Sequence, residues 1–406
     1  MNQEAIHLVF AGGGTAGHLF PGLAVAEQLI ATIPRLHISF CGGGKALERQ
    51  AVRAAGFDYL TLPVQPLPRR ARDAIAFVVD NLAGYLAASR ILQEQPVAAV
   101  VGLGGYASVP MAHAAIRRGV PLILLEQNAI PGKATRWLAR RASLVCTSFH
   151  ETWAHLRCTC PVRCTGNPVR RGFLTANRLQ SRLAEVAATL DRAKKEAATL
   201  QKGIATYNSA ENRLKQILVL GGSGGARSLN ESVPRALYRI RTQLADWQIL
   251  HQSGDAGLPL AESLYRKFGL PAKVVPFLEN MPAALAATDL AICRAGGSTL
   301  AELAVARVPA VLIPFPNATD GHQLANARLY ATQGGCVTID ERSASGSLDD
   351  QLADILCFLL ANDSLLGRMA EAMHHMAAPR AAEHVAELIW SIASSRSRQT
   401  AHAMAC

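Results

Sequence analysis

The sequence predicts an α/β protein of two doubly wound parallel domains, and three observations carry that expectation. Short apolar runs end again and again in glycine-rich turns that open helices: Ile6–Phe10 before Ala11–His18, Ala98–Val101 before Gly102–Ser108, Gln216–Leu220 before Gly221–Asn230, and Leu290–Cys293 before Gly296. A strand, a glycine turn and a helix make the repeating unit of a parallel sheet. The unit recurs in both halves of a 406-residue chain, long enough for two domains with a core each. Half of the residues are hydrophobic and 17% are charged, which excludes disorder as the main state and fits a compact, soluble protein.

Residues 1–171 read as the first domain. Its opening strand runs into Ala11-Gly-Gly-Gly-Thr-Ala-Gly-His18, and Pro21 starts a helix that continues to Ile30. Gly12-x-Gly14-x-x-Gly17 matches the dinucleotide fingerprint, so an NAD-dependent oxidoreductase is one reading. The second strand, His37–Phe40, ends in Cys41-Gly-Gly-Gly-Lys45 and lacks the acidic residue that would hold an adenosine ribose, which counts against it. The first turn still reads as a diphosphate site. His18 beside it is a general base, a phosphate donor or a helix-start residue, and an unperturbed pKa of about 6.5 suits the first role.

Lys45 precedes a helix over 46–55 and could reach a phosphate, though no Ser or Thr follows it to make a P-loop. Pro66–Arg72 is basic, and Ala74–Val79 with Leu82 lies on a predicted long helix. Basic residues beside apolar ones suit docking on anionic lipid headgroups; the alternative is that Phe77, Val78 and Leu82 are core. The strand Pro121–Leu125 ends in Glu126-Gln127-Asn128, where Glu126 is a second base candidate and Asn128 could bind a sugar hydroxyl. Turn formation explains Asn128 and Asn167 equally well, the latter before Pro168.

Between the domains, 172–213 reads as an inserted amphipathic helix with Leu179, Leu183, Val186, Leu190, Leu200 and Ile204 on one stripe. The second domain, 214–378, repeats the logic of the first. Ser223 in its opening turn is placed to hold phosphate, and Phe277, Leu278 and Met281 either wall a flat base or fill the core. After Leu290–Cys293 come Arg294, Gly296 and Gly297, and a helix begins near Ser298 and Thr299. Glycine lets N–H groups approach an anion, the helix N-terminus adds partial positive charge, and Arg294 adds a full one. Thr299-x-x-Glu302 is either a capping box or a carboxylate for ribose hydroxyls. Asp320-Gly-His322-Gln323, after a strand ending in Pro314-Phe-Pro316, favours the second: cation, carboxylate and amide then meet at one sheet edge, a set that suits a nucleotide sugar. Residues 379–406 read as a C-terminal helix that crosses back to the first domain, with a frayed tail from Ser394.

The net charge of +11 requires an acidic partner. With 5% aromatic residues and no basic run interleaved with them, nucleic acid is not expected; phosphate-bearing substrates and a membrane surface are. The N-terminus shows no signal peptide and no segment approaches bilayer-spanning length, so a cytosolic protein with reduced thiols at its nine cysteines is expected. His155-x-x-Cys158-x-Cys160-x-x-x-Cys164 matches no common zinc spacing.

Three motifs in order carry a family resemblance: Gly-Gly-Thr-Ala-Gly-His-x-x-Pro from Gly13, Cys-Arg-x-Gly-Gly-x-Thr-x-x-Glu from Cys293, and Pro-Phe-Pro followed by Asp-x-x-Gln-x-x-Asn from Pro314. Together they closely resemble the MurG family of N-acetylglucosamine transferases, over nearly the whole chain. The resemblance implies a GT-B fold, two Rossmann-like domains facing a cleft. It implies UDP-N-acetylglucosamine as donor, undecaprenyl-pyrophosphoryl-muramyl pentapeptide as acceptor, and inverting transfer to the 4-hydroxyl of the muramyl sugar. His18 and Glu126 are then the catalytic candidates. Thr15, Gly17, Asn128, Arg170, Ser223, Phe277, Leu278, Arg294, Gly296, Gly297, Ser298, Thr299, Glu302, His322 and Gln323 face the donor, and Gly13, Gly14, Tyr106 and again Asn128 the acceptor. No Asp-x-Asp clamp is evident, so neither metal nor organic cofactor is expected. Position within the family favours membrane docking of the 66–82 region, with Arg117, Arg118, Trp137, Arg140 and Arg141 on the same side, at the cytoplasmic face of the membrane. A transferase acting on diacylglycerol shares the donor logic and is the nearer rival.

Overall fold

A computed structural model describes residues 6–68, 70–175, 213–342 and 346–405. The expected inserted helix at 172–213 therefore falls mostly outside the described residues.

The first domain is one parallel sheet of seven strands in the order β3-β2-β1-β4-β5-β6-β7. The strands are β1 (Ile6–Ala11), β2 (Leu36–Gly42), β3 (Asp58–Thr61), β4 (Val97–Gly102), β5 (Leu122–Glu126), β6 (Leu144–Thr147) and β7 (Val162–Cys164). Helices α1 (Ala16–Thr32), α2 (Ala46–Ala54), α3 (Ala74–Glu94), α4 (Val109–Arg117) and α5 (Lys133–Leu138) lie between them. Central strands such as β4 (Val-Ala-Ala-Val-Val-Gly) are apolar on both faces and fully buried, as a sheet covered by helices on two sides requires.

The second domain has six parallel strands in the order β10-β9-β8-β11-β12-β13. They are β8 (Lys215–Leu220), β9 (Trp247–Gln252), β10 (Ala272–Val275), β11 (Leu290–Cys293), β12 (Ala310–Leu312) and β13 (Cys336–Thr338). Its helices are α6 (Arg227–Arg239), α7 (Leu258–Lys267), α8 (Met281–Ala286), α9 (Gly297–Ala306), α10 (His322–Thr332), α11 (Leu348–Leu360) and α12 (Asp363–His375). In both sheets the strand order reverses beside the first strand, and the crevice at such a switch point is where α/β folds bind ligands.

Among the described residues, two apolar features join the domains. An apolar seam buries Ala129, Phe149 and Val169 of the first domain, with Phe173 just after it, against Leu220, Ala295, Leu300 and Met373 of the second. The last helix, α13 (Ala381–Ala405), packs on α1 and β4 of the first domain and buries Val385, Ala386, Ile389 and Ala393 in its core. The frayed tail expected from Ser394 is corrected: the helix continues to Ala405.

A second correction concerns membrane length. The helical stretch Ala71–Glu94 is long and apolar enough, by length and composition, to cross a bilayer. Its Gly84, Ala88 and Leu92 are buried, whereas Ile75 (78% exposed), Val78, Val79, Leu82 (54%) and Leu86 are open, so Val78 and Leu82 are not core. The eight described cysteines carry free thiols.

Candidate active site

The first glycine turn follows β1 and is held from below. Gly12, Gly13 and Gly14 have φ of 138°, 146° and 88°, a region L side chains rarely adopt. Thr15 caps α1, and its Oγ1 lies 2.9 Å from His18 Nδ1. Behind the turn stands Glu48, buried, which accepts from the Gly14 N–H and from the Tyr59 hydroxyl at 2.6 Å. The Gly14 N–H that an anion would use is therefore already engaged, and the expectation of a diphosphate cradle there is corrected in part. The N-terminus of α1, beyond it, is the remaining anion-facing element. Tyr106 follows Gly104 and Gly105 in the turn after β4, with its ring beside Gly14, as a Cβ on Gly14 would lie 3.8 Å from the ring.

His18 is half-buried. Burial lowers its pKa from the ordinary 6.5, with the Glu126 charge working against that shift and His322 with it. A neutral imidazole at this position is suited to accept a proton. Gly104 leaves room at the second ring nitrogen, since a Cβ there would stand 3.4 Å from Nε2.

Glu126, at the end of β5, is buried. Its Oε1 accepts from the backbone and side-chain N–H groups of Asn128, each at 3.1 Å, and its Oε2 from Gly132 at 3.0 Å. Both oxygens thus shape the β5–α5 loop. Asn128, whose Oδ1 accepts from Asn326 Nδ2 at 3.0 Å, is one end of an interdomain link. The other is Asn326 Oδ1, which accepts from Ala129 N at 2.9 Å.

The loop after β11 meets this surface directly. Gly297 approaches the Gln127 carbonyl so closely that a Cβ would lie 2.0 Å from its oxygen; only glycine fits. Ser298 Oγ donates to the Gly17 carbonyl at 2.7 Å and accepts from Asn167 Nδ2 at 3.3 Å. The helix starts at Gly297, with Gly296 as N-cap and no side-chain cap bond, so the Thr299-Glu302 capping box does not form. Thr299 stays beside Gly296, its Oγ1 3.8 Å from where a Cβ would be. Glu302 turns toward Arg170 of the first domain, 3.4 Å away, and burial pushes its pKa from 4.5 up to about 7 despite that partner. Arg170 also lies over the Phe20 ring, 4.1 Å from its centroid.

Arg294 departs from expectation. Its guanidinium donates to Glu341 at 2.6 Å, Ser228 at 2.7 Å and the Ile313 and Pro314 carbonyls at 2.8 and 3.3 Å. With 12% of the side chain exposed and a carboxylate beside it, it braces the β11 and β12 loops, and the free cation read from the sequence is corrected. Gln323 accepts from the Phe315 N–H at 2.9 Å, and His322 Nδ1 donates to Thr319 O at 2.8 Å, so both organise the Pro-rich loop. Ser223 stands exposed on the turn after β8; Phe277 is 41% exposed, and Leu278 donates its N–H to Gln252 Oε1 at 2.9 Å.

The structure therefore brings Gly17, Gln127, Asn167 and Arg170 of one domain against Gly297, Ser298 and Glu302 of the other, with His18 next to Gly17 in the chain and Asn128 bonded across to Asn326. Glu48 and Arg136 carry no role in the sequence reading, and Gln127, Asp320 and Asn326 stand there in motifs without their roles across the cleft, where Arg136 pairs with Asp320. Asn326 had a signal, as the last residue of the Asp-x-x-Gln-x-x-Asn motif. Glu48, one charged residue on a charged helix, had none.

Residues 8–147 match the glycosyltransferase family 28 N-terminal domain, and residues 216–385 its C-terminal domain. The UDP-N-acetylglucosamine--N-acetylmuramyl-(pentapeptide) pyrophosphoryl-undecaprenol N-acetylglucosamine transferase of Methylococcus capsulatus is 37% identical over 387 residues, covering 95% of this chain and 98% of that protein. The protein of the same name from Anaeromyxobacter sp. strain K is 35% identical over 395 residues, 96% of this chain and 94% of its own. The crystal structure of Acinetobacter baumannii MurG superposes with a TM-score of 0.70 at 30% identity, covering 95% of this chain and 99% of that one.

Proposed function

The chain belongs to the MurG family within glycosyltransferase family 28, and from that premise we infer that it moves N-acetylglucosamine from UDP-N-acetylglucosamine to the 4-hydroxyl of undecaprenyl-pyrophosphoryl-muramyl pentapeptide. It is a UDP-N-acetylglucosamine-dependent hexosyltransferase of peptidoglycan synthesis with a GT-B fold. The observation that carries the mechanism is the bond across the interdomain cleft from Ser298, at the N-terminus of α9, to the carbonyl of Gly17, the residue before His18.

In this reading the acceptor oxygen attacks C1 of the donor sugar from the face opposite the diphosphate. The new O–C1 bond forms as the C1–O bond to UDP breaks, which inverts the anomeric centre. His18 takes the hydroxyl proton: with Nδ1 donating to Thr15 Oγ1, Nε2 carries the lone pair. The leaving diphosphate gains charge, and the N–H groups at Gly297 and Ser298 with the helix dipole stabilise it. Glu302 is placed for the ribose hydroxyls, in exchange for its present partner Arg170. Arg294 contributes by fixing the loops around the diphosphate rather than by touching it.

Membrane docking is the second part of the proposal. The exposed row Ile75, Val78, Val79, Leu82 and Leu86 on α3 adjoins exposed Trp137 through a chain of rings, Tyr85 to His113 at 5.3 Å and His113 to Trp137 at 5.4 Å. Burial, then the charges of Arg117 and Arg141, lower the His113 pKa, so those arginines stand on the same side. An apolar row with a cationic rim suits a peripheral site on anionic lipid at the cytoplasmic face.

Incubation with labelled UDP-N-acetylglucosamine and the lipid-linked muramyl pentapeptide tests the reaction. Label should enter the lipid only when both substrates are present; transfer to diacylglycerol instead would leave the fold and overturn the acceptor.

A further inference from the structure

We propose that Glu48 is a positioning residue of the transfer reaction: its carboxylate fixes the first glycine turn in the shape that presents Thr15 and His18 to the cleft. The proposal rests on the assignment of His18 as base. Both polar backbone groups of Gly14 are held from the start of α2, the N–H by Glu48 Oε1 and the carbonyl by Lys45 Nζ at 2.6 Å. The other carboxylate oxygen accepts from Tyr59 at 2.6 Å, and the Tyr59 hydroxyl in turn accepts from the Gly44 N–H at 3.0 Å. Glu48 is 2% exposed, so it meets no substrate; its contacts are with the turn and with Tyr59.

Contact between turn and carboxylate is close. A Cβ on Gly13 would lie 2.9 Å from the Glu48 carboxyl carbon, and one on Gly42 would lie 2.7 Å from the Tyr59 hydroxyl. The run from Gly12 to Gly14 has positive φ throughout, a conformation that no helix or strand ladder maintains. Removing side chains at these positions frees the backbone; an outside anchor must then choose one shape. Burying a carboxylate is costly without charge-assisted bonds, and the bonds Glu48 makes are the ones that pin the turn. Two residues after Gly12 the pinned amide is reached, and four residues after that comes His18, whose ring is held by Thr15 in between.

Steady-state kinetics of Glu48→Ala, Glu48→Gln and His18→Ala, alone and combined, test this, with thermal melting to show that each variant folds. A misplaced base costs on the order of 100-fold in kcat, so Glu48→Ala should lose about that much while the donor KM stays within about twofold. Glu48→Gln keeps an oxygen for the Gly14 N–H and should recover to within about tenfold of the parent, with the pH profile unchanged. In the His18→Ala background, Glu48→Ala should cost almost nothing further, because the group it positions is gone. Equal losses in both backgrounds, or Glu48→Gln as impaired as Glu48→Ala, would overturn the proposal and leave His18 as base. Full turnover in His18→Ala alone would overturn the base assignment and this inference with it.

Discussion

At the scale of single residues, burial decides which charges are available for chemistry. Glu302 carries a pKa raised from 4.5 to about 7 because burial outweighs the attraction of Arg170. A carboxyl that holds its proton more tightly in the folded chain stabilises the fold below pH 4.5, and that contribution is lost as pH rises through about 7. Glu302→Gln lacks this dependence. In urea unfolding without ligand it should gain on wild type between pH 5 and pH 8, by on the order of 3 kcal/mol at most; a difference that does not change with pH contradicts the burial. His18 is shifted the other way, so as a base it should stay competent down to below the ordinary imidazole value of 6.5. The acid limb of kcat/KM against pH reads this directly, and a midpoint above 6.5 would exclude a buried neutral His18.

At the scale of elements, the switch-point strands and their turns were legible because each is a run of apolar residues closed by glycine, as in Ile6–Ala11 before Gly12. The short strands Asp58–Thr61 and Val162–Cys164 escaped notice, having few apolar residues and lying at the edges of the sheet. Arg294 was legible as important but not as paired, because Glu341 lies 47 residues away in sequence. The exposed face of α3 was likewise undecided until packing placed Gly84, Ala88 and Leu92 inward. Helix α13 ties the chain end to the first domain through Val385 and Ile389, both fully buried. Ile389→Ala should cost about 2–5 kcal/mol in equilibrium unfolding; a loss under 1 kcal/mol, on the scale of surface substitutions, would show that this helix does not dock as described. Glutamate at Ile75 and Leu82 together should abolish sedimentation with anionic vesicles while donor binding is retained. Unchanged vesicle binding would move the docking surface elsewhere.

At the scale of the whole molecule, the candidate site lies where the domains meet. The first supplies His18 and the Gln127 carbonyl; the second supplies the α9 N-terminus, and Ser298, Asn326 and Asp320 bond across the gap. Small residues make the approach possible, since any side chain at 297 would collide with Gln127. This division of labour was readable in outline from the motifs, but which atoms cross the cleft depends on the relative placement of two sheets, which no local pattern encodes. It also predicts that chemistry and donor affinity separate by domain. The most direct measurement is single-turnover transfer by His18→Asn, with donor affinity measured on the same protein by calorimetry. The rate should fall by about 10²–10⁴-fold with donor affinity within about twofold of wild type. A rate that is unchanged, or one that falls only as far as donor affinity falls, would contradict this.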